Sequence, residues 1–191
     1  MSTYYYNQGM NDAQVRADKI GKAATYKYLT QSYQHTIGLY DTDHKSQQCR
    51  VDFVAFFANS FTNYVEVKSR VDVSSTSYPT TFISAAKIQY LYNLSEQMNG
   101  KDLKNLAFIF VYFNDGELYK FDVRKIYQEI APVYRRVRKS HLGLGNYDMK
   151  QELIYEIDIK KYGFRCGNYQ IQDAELLPYF DWNLDRFGIK I

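Results

Sequence analysis

Three side chains in this sequence have the types and spacing that chemistry needs: Asp52, Glu66 and Lys68. They sit in two short runs, Arg50–Phe56 and Thr62–Arg70, separated by a polar break at Asn59-Ser60. Both runs are dominated by β-branched and aromatic residues, and the break carries turn formers, so the spacing predicts a hairpin. Along a strand the side chains alternate faces. Val65 and Val67 therefore point one way, and Tyr64, Glu66 and Lys68 the other. A carboxylate and an ammonium then stand side by side, and Asp52 brings a second carboxylate from the neighbouring strand. That set is enough to hold a divalent metal and to activate a water beside it. The ordinary alternative is an exposed strand with surface ion pairs.

The order Asp, a hairpin-length gap, then Glu-x-Lys resembles the signature of the PD-(D/E)xK nuclease superfamily, here Asp52, Glu66 and Lys68. The polar run from Asp41 through Gln48 is similar to the connection before the first acid. Phe82-Ile83-Ser84-Ala85-Ala86-Lys87 is similar to the helix that follows the catalytic strand. The resemblance spans about residues 12 to 122 and is nearest to short phage nucleases and junction resolvases. It implies a single α/β domain over residues 1–191, with a mixed sheet flanked by helices and a restriction-endonuclease-like core. That core runs to about residue 160, and 161–191 form an extension. The resemblance also implies a metal-dependent DNA endonuclease, with Mg²⁺ or Mn²⁺ held by Asp52, Glu66 and the backbone carbonyl of Val67. Hard oxygen ligands suit those ions. Lys68, beside two carboxylates, is expected to stay protonated and to orient the attacking water. Many superfamily members carry a Glu on the first helix as an extra ligand. This sequence departs from that pattern, with Lys22 and Thr25 at the matching place and Asp18 one turn earlier, where a surface Asp18–Lys22 pair is expected.

Composition sets the outer limits. A chain of 191 residues can bury a core without disulfide staples. The 20 Tyr and 12 Phe supply amphipathic contact area, for packing or for base stacking. A net charge of +3 is too small to argue nucleic-acid binding by itself, so position must carry that argument. Cys49 and Cys166 fit no metal-ligand spacing. The N-terminus lacks the pattern of a signal peptide, and no apolar run approaches membrane-spanning length. The expectation is a soluble, cytoplasmic protein, in the host cytoplasm if phage-encoded.

Asn11 or Asp12 caps a helix to about Leu29, with Ala13, Ala17, Ile20, Ala24 and Tyr28 as its buried stripe. Gly21 inside that stripe signals a close approach between this helix and the sheet. His35–Tyr40 reads as a strand, and His35 and His44 as surface residues. The segment 71–80, rich in Ser and Thr, reads as a mobile loop beside the site. Ser84 caps a helix through about Met98, which Gly100 stops. Leu106–Phe113 is apolar almost throughout and reads as a central strand covered on both faces. Asn114-Asp115-Gly116 turns it into Glu117–Asp122.

Beyond, the sequence predicts helix in two pieces separated at Pro132. The second holds Arg135, Arg136, Arg138 and Lys139, with no acid among them. With Lys87, these are the expected DNA-phosphate contacts. Glu152–Lys160 alternates as an edge strand. Its Asp158-Ile159-Lys160 repeats the acid-x-Lys form, but no acid precedes it on a paired strand and no helix is expected after it. The remainder, including Trp182, reads as an extension with little regular structure. DNA is the expected partner, and cutting both strands symmetrically would call for a homodimer or two cutting events. The alternative from another class is a nuclease-like module that binds DNA or protein without cutting, as a virion or accessory component.

Overall fold

The structure, a computed structural model, describes residues 12–32, 36–41, 51–57, 62–97, 105–138 and 149–176. Expectations for His35, the 42–48 connection, Cys49, Gly100, Lys139 and Trp182 lie outside them. The chain opens with helix α1 (Asp12–Ser32), then strands β1 (Thr36–Asp41), β2 (Phe53–Phe57), β3 (Thr62–Arg70) and β4 (Thr80–Ser84). Helix α2 (Ala85–Glu96) leads to β5 (Leu106–Phe113), β6 (Glu117–Asp122) and helix α3 (Val123–Glu129). Strands β7 (Val133–Arg138) and β8 (Met149–Asp158), the one-turn helix α4 (Ile159–Tyr162), strand β9 (Gly163–Asn168) and a 3-10 turn at Asp173–Glu175 complete it.

Six strands form a mixed sheet in the order β1-β2-β3-β5-β6-β9, and β4-β8-β7 form a second, antiparallel sheet. Within the large sheet β3 and β5 run parallel; the remaining pairs are antiparallel. Strand alternation sorts the core into two layers. Phe53, Val65, Val67, Phe110 and Tyr112 pack against Ala24, Tyr28 and Leu29 of α1. Val54, Ile109, Val111 and Phe121 face the other way, against Ile88 and Leu91 of α2, Ile126 of α3, and Ile83, Tyr155 and Ile157 of the small sheet. Because that second cluster draws on both sheets, they belong to one core. The architecture is mixed α/β, a mixed sheet flanked by helices, as expected. β5 is covered on both faces, which is why its sequence shows almost no polar alternation.

Several elements differ from the sequence expectation. Arg135, Arg136 and Arg138 lie on strand β7, not on a helix. Their long stems suit either state, but Pro132 favours extended backbone ahead of it, Val133, Tyr134 and Val137 favour strand, and β8 offers a pairing edge. Alternation puts Arg135 and Arg136 on opposite faces, so the run does not form one helical surface. β8 is the middle of its sheet and not an edge. Phe82 and Ile83 belong to β4, so the helix begins at Ala85, with the Ser84 hydroxyl capping the Lys87 amide at 3.3 Å. The extension past residue 161 contributes β9 to the main sheet, and Tyr169 and Ile171 pack over the α1 layer.

The 71–80 segment, expected to be a mobile loop, is tied to the β5–β6 turn. Asp115 accepts from the Ser74 hydroxyl at 2.7 Å, the Ser75 amide at 3.0 Å and the Ser75 hydroxyl at 2.7 Å. The Asn114 amide donates to the Val73 carbonyl at 3.1 Å. Desolvation works against the Asp115 charge, but the donors of Ser74, Ser75 and Glu117 outweigh it and hold the carboxyl below its ordinary 3.8. A carboxyl that titrates lower folded than unfolded stabilises fully above its unfolded value, and that contribution disappears as the pH falls through the folded value. Asp115→Asn should therefore be less stable than the parent near neutrality, with the gap closing below about pH 3.8. Urea unfolding across that range checks it; a gap independent of pH would mean that charge is not what anchors the loop.

Gly21 marks where α1 touches the sheet. A Cβ there would stand 2.0 Å from the Ser69 hydroxyl and 3.2 Å from Val67 Cγ1. Gly21→Ala would gain about 1 kcal/mol of helix propensity, but overpacking costs roughly 1–3 kcal/mol. The variant should be less stable on balance. In a Ser69→Ala background, which removes the nearest atom, the substitution should cost at most half as much. Equal costs in both backgrounds, read from urea midpoints, would rule out Ser69 as the obstacle.

Candidate active site

The candidate site forms where β2 meets β3. Phe53 pairs with Val65, which sets Asp52 opposite Glu66, and the Asp52 amide donates to the Val65 carbonyl at 2.8 Å. One step further the ladder changes character. The Val67 amide donates to Asp52 Oδ2 at 2.6 Å, so a side-chain carboxylate takes the place of a backbone acceptor. The Asp52 side chain therefore lies along the sheet edge and can be reached from both faces. Because N–H and C=O of one strand residue point to the same side, the Val67 carbonyl also faces the β2 side.

From the α1 face comes Lys22, only 2% exposed, with its ammonium 3.2 Å from Asp52 Oδ1 and 2.9 Å from Asp18 Oδ2. From the other face, Glu66 Oε1 meets Lys68 Nζ at 2.6 Å and Oε2 meets Lys87 Nζ at 2.7 Å. The Glu66 side chain is 4% exposed, that of Lys68 37%, so the glutamate is held inside and the lysine side chain is partly exposed. Asp18, Asp52 and Glu66 are thus balanced by Lys22, Lys68 and Lys87.

Desolvation pushes the Asp52 carboxyl up, but the charges of Lys22, Lys68 and Lys87 and the Val67 amide outweigh it, and the carboxyl titrates below its ordinary value. Glu66 goes the other way. Burial, with Asp52 as a negative neighbour, raises it despite its two lysines. Burial disfavours the Lys68 ammonium, yet Glu66, Asp52 and Asp18 together hold its pKa above the ordinary value. The surrounding carboxylates thus favour the ammonium form of Lys68. Two carboxylates driven apart in this way form the pattern expected where two acids share a site.

The geometry brings together Asp52, Glu66, Lys68 and Lys87, and the Val67 backbone lies beside them. The expected surface pair of Asp18 and Lys22 forms, but Lys22 is buried and reaches into the site, which sequence reasoning missed. The signal was present: Lys22 lies beside Gly21, the residue that marks the helix–sheet approach. Arg135 is paired with Glu156 at 2.9 Å, and Arg136 is exposed on the opposite face of β7. The rival acid-x-Lys run does not form a strand motif, because α4 starts at Ile159. Asp158 caps it by accepting from the Lys161 amide at 2.8 Å, and Ile159 is buried.

As donors, two carboxylates and a carbonyl fit a hard divalent ion. Among the described residues, no group of three or more His, Cys, Asp or Glu side chains could hold a metal together. Each Asp52 and Glu66 oxygen also already meets a protein donor, so an ion would enter by exchange. No protein-family model, curated protein or solved structure matches this chain. Among the described residues, no helix is long and apolar enough to cross a membrane.

Removing Asp52 should be costly, because it leaves the Val67 amide and the buried Lys22 ammonium without this partner. Asp52→Ala should lose about 3–5 kcal/mol of unfolding free energy. Asp52→Asn keeps an acceptor for Val67 and should lose clearly less. Urea unfolding of the pair decides it: equal losses would show that the carboxamide oxygen does not replace the ladder contact.

Proposed function

We propose that the protein is a metal-dependent DNA endonuclease with a restriction-endonuclease-like core, hydrolysing phosphodiester bonds at Asp52, Glu66 and Lys68. The observation that carries the reading is the Asp52–Val67 contact, which sets a carboxylate at the sheet edge opposite Glu66 and within the field of Lys68. The order of elements supports it as well: a helix, a hairpin carrying the acid and then Glu-x-Lys, a helix whose first turn supplies Lys87, and a strand parallel to β3.

Asp52, Glu66 and the Val67 carbonyl would hold a Mg²⁺ or Mn²⁺ ion. When bound, such an ion would polarise a phosphoryl oxygen and lower the pKa of a coordinated water. The protein's own share is electrostatic and positional. Lys68, charged and partly exposed, donates hydrogen bonds toward the attacking water and offsets charge that builds on the phosphate. Lys87 balances Glu66 and is placed to meet a neighbouring phosphate. Arg135, Arg136 and Arg138, now on a strand of the small sheet, remain candidate phosphate contacts together with Lys139, with Arg135 first having to leave Glu156.

A second reading follows from Lys22: with the site's charges already balanced by protein groups, the module binds DNA or protein without cutting. Nicking of supercoiled DNA in Mg²⁺ and in Mn²⁺ separates the two. Glu66→Gln and Lys68→Met should each slow cleavage by about 10²–10³, whereas Asp158→Asn and Lys160→Gln should stay within about threefold of the parent, as exposed substitutions away from the site do. A parent that cuts no DNA form in either metal would leave the non-cutting module as the better reading.

A further inference from the structure

Lys22 is unusual on three counts. It is a lysine at 2% exposure; it belongs to a helical turn, Gly21–Thr25, that is buried all round; and it meets Asp52 from the side opposite Lys68 and Lys87. A lysine is almost never fully buried unless paired, so the pairing is what holds it there. The ammonium stands 3.2 Å from Asp52 Oδ1, the one oxygen of that carboxylate not taken by the Val67 amide. A divalent ion approaching Asp52 has the same need, an anionic oxygen in a desolvated corner. Two cations cannot share it at contact distance without strong repulsion.

Resting on the metal reading above, we infer that Lys22 is a built-in competitor for the divalent ion at Asp52. The ion binds only as the ammonium is displaced from Oδ1, and the Lys22 charge limits the site to a single divalent ion. Asp18 assists, because it gives the displaced ammonium a carboxylate to stay with, at 2.9 Å. The consequence is a site that is folded and charge-balanced without metal and takes metal weakly. A cation elsewhere on the surface acts only through solvent and lacks this effect.

The test is Mn²⁺ binding to the full chain, followed by electron paramagnetic resonance, which counts free and bound ion and needs no catalysis. The parent should bind one Mn²⁺ per chain. Lys22→Gln should bind it at least about tenfold tighter, since a charge at this range shifts a carboxylate's proton affinity by roughly one to three powers of ten. Lys22→Arg, which keeps the charge, should stay within about threefold of the parent, and so should Lys125→Gln, a remote charge removal. Should Lys22→Gln not fold, Asp18→Asn serves from the other direction: losing the carboxylate that receives the ammonium should weaken Mn²⁺ binding. Equal affinities for the parent and Lys22→Gln, tighter binding by Asp18→Asn, or two ions on the parent would each overturn the competition while leaving the metal reading standing. Folded parent and Lys22→Gln that both fail to bind Mn²⁺ would overturn the metal reading itself, and the competition with it.

Discussion

The site depends on one hydrogen bond, the 2.6 Å contact from the Val67 amide to the Asp52 carboxylate. A strand amide next to a departing partner strand has to find an acceptor, because a buried unpaired N–H is costly. Here the acceptor is a side chain and not the next backbone carbonyl. That substitution holds Asp52 along the sheet edge, where groups from both faces can reach it. Without it, Asp52 would follow plain alternation onto one face, and Lys22 and Lys68 could not both contribute to its charge balance.

The charge balance follows from that placement. The carboxylates that burial would destabilise are met by ammonium groups from three elements: Asp52 by Lys22 of α1, and Glu66 by Lys68 of its own strand β3 and by Lys87 from the first turn of α2. Drawing the partners from three elements ties the helix layers to the sheet electrostatically as well as through the core. Asp52 and Glu66 feel this balance unequally. Asp52 has the Val67 amide in addition to cations, and Glu66 lies deeper, with a negative neighbour. One carboxyl is therefore held low and the other is raised.

The second sheet is the less expected part of the architecture. β4 rises directly from the loop after the Glu-x-Lys strand and pairs with β8, so the far half of the chain folds back beside the site. Arg70 lies on the Glu66–Lys68 face of β3 and bonds the Phe82 carbonyl of β4 at 2.8 Å, with its guanidinium over the Phe82 ring. The small sheet is thereby fixed against the end of β3. With Asp115 holding the 71–80 segment, this gives the site a braced margin.

Local pattern was enough to reveal much of this. The alternation of β3, the unbroken apolar run of β5, the Asn114-Asp115-Gly116 turn, the Ser84 cap and the close approach at Gly21 are short-range signals, and each is seen in the structure. So is the grouping of Asp52 with Glu66 and Lys68, because hairpin register and period-two alternation already place them together. The tertiary structure alone decided what long-range partners decide. Arg135–Arg138 became a strand because β8 lies beside it, and β8 became central because β4 and β7 both pair with it. Residues past 161 became part of the main sheet because β6 offered its edge. Lys22 looked like half of a surface helix pair, since sequence spacing sees only Asp18 one turn away. Its burial against Asp52, 30 residues along the chain, follows from how α1 lies on the sheet, and no local rule contains that.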